Sequence, residues 1–382
     1  MKKQLALIVS TLLSLALWSQ NYDPGKVDKK AKAFYDKGLE LAQDGYYPQA
    51  IEQLQEAIKK DAKYADAYLS LAGVYGQMKN YAACVLNYEK AFSLDPEYTL
   101  DFKLPYSINL AGKGEFEKAL AAINELLEKK PPQNSTSLKA AMHRKQTYEF
   151  AIAFAKKHNT ASYNFNPINL GTGVNSPEPE YFPTLTIDGN SLVFTRSLGK
   201  RNEDFFISKK NEQGEWLPAE PMPGSVNTPM NEGAQTVSQD GQWIVFTGCN
   251  RKDGFGSCDL YISYLDDNGW SEAINLGGGV NSDQWESQPS LSPDKRDLYF
   301  ASRRPGGYGG VDIYVTHLQE NGKWSEPENL GPEINTPGDE QSPFIHADNE
   351  TLYFVSNHWP GYGDDDLFLS RKGPKGSWSK PE

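Results

Sequence analysis

Apolar residues recur along this chain with two different periods, a helical one between residues 28 and 158 and a strand-like one from residue 167 onward. In the first stretch Tyr47, Tyr81 and Phe116 correspond, as do Ala50, Cys84 and Ala119, Leu54, Tyr88 and Ile123, and Ala57, Ala91 and Leu126, at spacings of 34 and 35 residues. Small residues at Gly38, Ala50, Ala57, Ala72, Cys84 and Ala91 let paired helices approach closely, while Pro96 and Pro131 stop the second helix of their units. Gly45 and Lys79-Asn80 mark turns inside the pairs, and Pro48 suits a first helical position. The pattern predicts two to three helix pairs, the third distorted because Pro105 falls inside its expected first helix. A long helix from about Ser137 to Lys157 should cover the open end.

From Pro167 the runs are short, alternating and rich in Val, Ile, Phe, Tyr and Thr, with Gly, Pro, Asp and Asn between them. Asp188, Asp240, Asp294 and Asp348 recur 52, 54 and 54 residues apart, and Phe194, Phe246, Phe300 and Phe354 follow at the same spacings. A second acid recurs as Asp204, Asp259, Asp312 and Asp366, and Trp216, Trp270, Trp324 and Trp378 close the units. The third unit predicts strands at 288–292, 297–302, 312–316 and 322–327. Four antiparallel strands in such a repeat make one propeller blade, an arrangement that protects sheet edges by radial repetition. The blades fall at about 167–220, 221–274, 275–328 and 329–382. The fold class is therefore multidomain α plus all-β, an N-terminal α-solenoid followed by a β-propeller of at least four blades. Pro167 to Gly171 supplies the Asn-Leu-Gly fragment that would follow Trp378 to Glu382, so closure of a four-bladed ring and continuation into further blades both stay open.

The recurring residues have mechanical readings. Asp at the first turn accepts from the backbone amides after it. The aromatic residues of the second strand and the closing Trp fill the wedge between blades. Asn175, Asn227, Asn281 and Asn335 shape the step from one blade to the next.

Tyr68, Leu71, Ala72, Tyr75, Cys84, Tyr88, Ala91 and Pro96 make the helical stretch resemble the tetratricopeptide repeat, best over 31–98. Leu291-Ser292-Pro293-Asp294 with Leu298-Tyr299-Phe300, and Thr186-Ile187-Asp188-Gly189 with Leu192-Val193-Phe194, resemble the WD-like repeats of the translocation protein TolB. The stretch from Gly306 to Asp312, with Trp324 to Gly331, looks like the variant common in Bacteroidota surface and periplasmic proteins. The fourth unit departs with His346-Ala347-Asp348-Asn349, and the second with Met222-Pro223-Gly224. Taken in order, the segments resemble periplasmic proteins of the OmpA family, including the PorE-type components of type IX secretion and gliding-associated relatives. That resemblance implies a peptidoglycan-binding domain in a part of the protein outside these residues.

Lys2 and Lys3 followed by an apolar run from Leu5 to Trp18 and a polar break predict a signal peptide at 1–19, with linkers at 20–27 and 159–166. Thirty-eight basic against 50 acidic residues give a formal charge of −12, a poor match for nucleic acid or anionic lipid. Of three cysteines, Cys84 fits a small buried position, while Cys249 and Cys258 flank one strand connection and form a candidate disulfide that export permits. No Gly-x-Ser-x-Gly elbow, phosphate loop or metal-spaced His or Cys pair occurs, and His143, His158, His317, His346 and His358 are scattered. Ser238 to Trp243 resembles the Asp-box turn of sialidases, a structural element, and Asp364-Asp365-Asp366 offers oxygens around a periodic structural acid. The expectation is a protein without an enzyme's reactive centre or a cofactor, acting as a periplasmic scaffold at the outer membrane with envelope proteins as partners. A glycan-binding propeller using Tyr308, Trp359 and Tyr362 is the alternative, and a propeller hydrolase lacks a nucleophile.

Overall fold

The computed structural model describes residues 22–157, 166–199, 202–267, 269–374 and 376–382. The signal peptide expected at 1–19 and His158 lie outside the described residues. The chain divides into two compact units, Met1–Asn159 and Thr160–Glu382.

The first unit is built from α1 (Lys29–Gln43), α2 (Tyr47–Lys60), α3 (Ala65–Gln77), α4 (Tyr81–Leu94), α5 (Lys103–Gly112), α6 (Phe116–Lys129) and α7 (Ser135–Lys157). Asp28 caps α1 by accepting from the Lys30 and Ala31 amides, and Asn80 caps α4 by accepting from Ala83. Gly45, Lys79 and Gly114 occupy the same place in the three pairs and all have positive φ, at 80°, 55° and 79°, so one left-handed residue makes each turn. Gly38 is where close approach matters: a Cβ there would come within 2.8 Å of Leu54 on the partner helix. Ala72, Cys84, Ala91, Leu110, Ala119, Ile123 and Leu126 share one core with Tyr148 of α7.

The third pair is not disrupted by Pro105. A short 3-10 turn at Leu100–Phe102 leads into α5, and Pro105 then falls in the first helical turn, where an amide has no intrahelical acceptor to lose.

The second unit is a β-propeller of four blades. The first has β1 (Glu180–Leu185), β2 (Ser191–Ser197), β3 (Glu203–Lys209) and β4 (Glu220–Pro221). The second has β5 (Asn231–Val237), β6 (Trp243–Cys249), β7 (Cys258–Asp266), β8 (Gly269–Trp270) and β9 (Ile274–Asn275). The third has β10 (Glu286–Leu291), β11 (Asp297–Ser302), β12 (Asp312–His317) and β13 (Glu328–Asn329), and the fourth has β14 (Glu340–Ile345), β15 (Thr351–Ser356) and β16 (Asp366–Arg371). Neighbouring strands are antiparallel throughout. The fourth strand of the third blade lies at 328–329, not at 322–327, where a single bridge joins Leu318 to Trp324. The segment before it is tied by side chains instead: Thr316 Oγ1 donates to the Ser325 carbonyl, and Ser325 Oγ accepts from the His317 amide.

The second, third and fourth blades each carry an apolar quartet that covers the face of the blade before it. Val226, Ile244, Phe246 and Tyr261 pack on Val193 and Phe205; Val280, Leu298, Phe300 and Tyr314 pack on Val245, Leu260 and Ile262. Ile334, Leu352, Phe354 and Phe368 pack on Tyr299, Ile313 and Val315, with Trp378 edge-on to Tyr299 at 6.1 Å. A side-chain clamp accompanies each quartet. Asn227, Asn281 and Asn335 accept from the amides of Phe205, Leu260 and Ile313, and donate to the carbonyls of the same residues, at 2.8–3.1 Å. The turn acids behave as expected: Asp188, Asp240, Asp294 and Asp348 each accept from the amide two residues on.

The Asn clamp is the sharpest test of how blades cohere. Asn281→Ala leaves the buried Leu260 amide without its acceptor, while the Leu260 carbonyl keeps the Leu276 amide, and should lower unfolding free energy by about 1–3 kcal/mol, read as a shifted urea midpoint. A shift below a few tenths of a kcal/mol would show that the quartets alone join the blades.

Candidate interaction surfaces

Four inner strands, β1, β5, β10 and β14, line one central cleft of about 430 Å³ in the propeller. Each is interrupted by a bulge at the same repeat position, where Phe182, Ala234, Gln288 and Ser342 take φ of 49°, 49°, 57° and 52°. Bulges and the prolines beside three of them, Pro183, Pro289 and Pro343, blunt the inner sheet edges against strand pairing. No charged side chain is among the described residues lining the cleft, which mixes Leu185, Ile187 and Phe344 with Gln235, Gln239 and Gln288. The sequence signal for this surface was a proline just after the bulge in three of the four repeats, Pro183, Pro289 and Pro343, and the periodic reading passed over it.

The outer loops are held by the second recurring acid. Asp312 accepts from the amides of Tyr308 and Gly309, Asp259 from those of Phe255 and Gly256, and Asp366 from that of Gly363. Gly309 faces the Gly338 and Thr336 carbonyls so closely that a Cβ would collide with them. The Tyr308 loop is thus fixed by its own acid and by the next blade, and presents Tyr308 half exposed; Tyr362 is comparably exposed at 43%. Cys249 and Cys258 form a disulfide, bridging β6 and β7 at the base of their connection.

Trp359 has a different environment. In blades one to three a glutamate pairs with an arginine: the partly buried Glu180 with Arg196, and the fully buried Glu232 with Arg251 and Glu286 with Arg304. Each guanidinium lies over two rings of its own blade. Arg196 and Arg304 also donate to the carbonyls of Val174 and Val280. In the fourth blade Trp359 Nε1 donates to the equivalent carbonyl of Ile334 at 3.0 Å and its ring packs with the blade core, so the indole stands where the guanidinium would. Glu340 remains fully buried, held by Thr336 and Ser356. Burial pushes its carboxyl above the usual glutamate range, and those hydrogen bonds only partly offset this.

In the helical unit Asp66, on the first turn of α3, accepts from the hydroxyls of Tyr22 at 2.8 Å and Tyr98 at 2.7 Å. The Tyr22 amide donates to Asp95, and Ser70 Oγ donates to Tyr35 on α1. Burial, then the bonds to Asp66, hold the Tyr22 and Tyr98 hydroxyls protonated far above the usual tyrosine range. Cys84 is fully buried, and burial pushes its thiol up to about 12, which removes thiolate chemistry at neutral pH. Among the described residues no group of three or more His, Cys, Asp or Glu side chains is placed to hold a metal ion.

The TPR repeat family matches residues 38–79, across α2 and α3. This stretch is a tetratricopeptide repeat. Hsp70-Hsp90 organizing protein 1 of Glycine max is 30% identical over 115 residues, 30% of this chain and 19% of that protein. The Hsp70-Hsp90 organizing protein of Triticum aestivum is 30% identical over 99 residues, 26% and 16% of the two chains. The chain thus spans about a fifth of the length of these curated relatives. Among solved structures, TolB from Acinetobacter baumannii is similar at 17% identity and a TM-score of 0.36, over 52% of this chain and 42% of that one. The first TPR of Spaghetti (RPAP3), bound to an HSP90 peptide, is similar at 20% identity and a TM-score of 0.30, over 33% of this chain and 97% of that one.

The missing arginine of the fourth blade gives a pH test. Because the folded-state pKa of Glu340 is raised, its contribution to stability is present below the ordinary glutamate value and is lost as pH rises through the folded value. Trp359→Arg supplies the cation found in the other blades and should flatten that decline in stability measured between pH 4 and 8. An unchanged slope would show that the indole does not occupy the arginine's place.

Proposed function

We propose that this protein is a non-enzymatic scaffold that binds other proteins through its tetratricopeptide stack and through the loops and cleft of its propeller. The observation that carries the reading is where the recurring acids go. Asp188, Asp240, Asp294 and Asp348 bind turn amides; Asp259, Asp312 and Asp366 bind loop amides; and the glutamates pair with arginine or with hydroxyls. These carboxylates hold surfaces in place and are not arranged around a reacting atom. Rigid loops that present Tyr308 and Tyr362 suit contact with a partner, since a half-exposed aromatic on an ordered loop loses little entropy on binding.

The location we propose is the periplasm, at the outer membrane, in type IX secretion or a related envelope complex. Peptidoglycan would be bound by an OmpA-like domain outside these residues, as the family resemblance implies. The leader-like pattern at 1–19 supports export, and the Cys249–Cys258 disulfide supports an oxidising compartment. Among the described residues no helix is long and apolar enough to cross a membrane.

The test is photo-crosslinking in the native host from a benzophenone side chain at position 308 or 362, with cell fractionation. Crosslinks to outer-membrane or periplasmic proteins, lost when the loop is deleted, are expected. A cytosolic location, or crosslinks only to glycan, would contradict the scaffold reading, the second outcome pointing to sugar recognition by the same aromatics.

A further inference from the structure

One face of the fourth blade is built like the covered faces of the others and has no cover. The strand register places Phe344, Tyr353 and Leu369 opposite one another, and Val355 opposite Leu367, so all five share one side of the sheet. In the third blade the same positions are Ser290, Tyr299, Val315, Ala301 and Ile313, every one of them buried, with Tyr299, Ile313 and Val315 beneath the quartet of the fourth blade. On the fourth blade Leu367 is 70% exposed and Phe344 56%, while Tyr353, Val355 and Leu369 are only partly buried.

We propose that this face is the docking surface for a further blade of the same repeat, added as the fifth in the series. The established interface between the third and fourth blades supplies the argument. Tyr299 becomes Tyr353, Ile313 becomes Leu367 and Val315 becomes Leu369, so the three positions that accept Ile334, Leu352, Phe354 and Phe368 keep their chemistry, while Ser290 and Ala301 give way to the larger Phe344 and Val355. The occupant it fits is an antiparallel blade with an aliphatic residue and an Asn at its entry, an aliphatic residue and Phe on its second strand, and an aromatic on its third. The clamp site is repeated too, since Leu367 stands where Phe205, Leu260 and Ile313 receive the asparagine of the following blade.

The first blade does not fill this role. Its own quartet, Val174, Leu192, Phe194 and Phe206, is packed with Trp216 and Ala219 of the same blade at 2–8% exposure, and among the described residues no extensive sheet packing joins the fourth blade to the first.

The test extends the full chain after Glu382 with a second copy of residues 329–382, which carries a quartet known to fit such a face. Hydrogen exchange at the amides of 353–355 and 367–369 should slow at least tenfold in the extended protein. Leu367→Asp, at an exposed position the unextended chain tolerates, should abolish that gain. Unchanged exchange in the extended protein would overturn the proposal. A 382-residue chain that is already dimeric by light scattering, and made monomeric by Leu367→Asp, would overturn it as well by assigning the face to a second copy.

Discussion

The propeller depends on one constraint: a blade is a single sheet with two apolar faces, and it cannot bury both by itself. The quartet of one blade on the face of its predecessor resolves this for three of the four blades, with the Asn clamp fixing the angle at which they meet. Burying a large apolar side chain contributes about 1.5–3 kcal/mol, so a quartet outweighs any single hydrogen bond at the same boundary. The clamp contributes direction more than energy. It lets the entry of one blade pair with β3, β7 or β12 as an additional strand would, through a side-chain amide that presents a donor and an acceptor together.

That arrangement explains why the acids recur without doing chemistry. A repeat of more than fifty residues must be turned, looped and stepped at fixed places, and short carboxylates are suited to collecting several backbone amides at a bend. The glutamates join this framework through their arginines, which also cover aromatic rings with their guanidinium planes. The fourth blade departs at one residue, Trp359, and keeps the hydrogen bond to the entry carbonyl while losing the charge.

Much of this was legible in the sequence because the signals are periodic. The 34- and 35-residue recurrence located the helix pairs, and the Asp, Phe and Trp series located the blades, since each marks a backbone conformation or a packing position that every unit needs. Pro105 misled because a proline breaks a helix interior but not its first turn, and the helix start was set by the 3-10 turn at Leu100–Phe102. The fourth strand was misplaced because Trp324 reads as a strand residue while its neighbour Ser325 is held by side-chain bonds. Trp359 read as an exposed loop aromatic because its substitution for an arginine shows only when the carbonyls it and the arginines reach are compared. The neutral cleft left only the prolines at three bulges as a mark, since bulges that aim residues inward depend on φ and leave no apolar period.

Residue-resolved hydrogen exchange on the intact chain tests the central claim most directly. If successive blades hold one another by quartet and clamp, the amides of Phe205, Leu260 and Ile313 exchange only through opening of the blade interface, while Leu367, at the same repeat position with no blade packed on it, exchanges orders of magnitude faster. Equal protection at all four positions would contradict the account, because each blade would then be stable by itself.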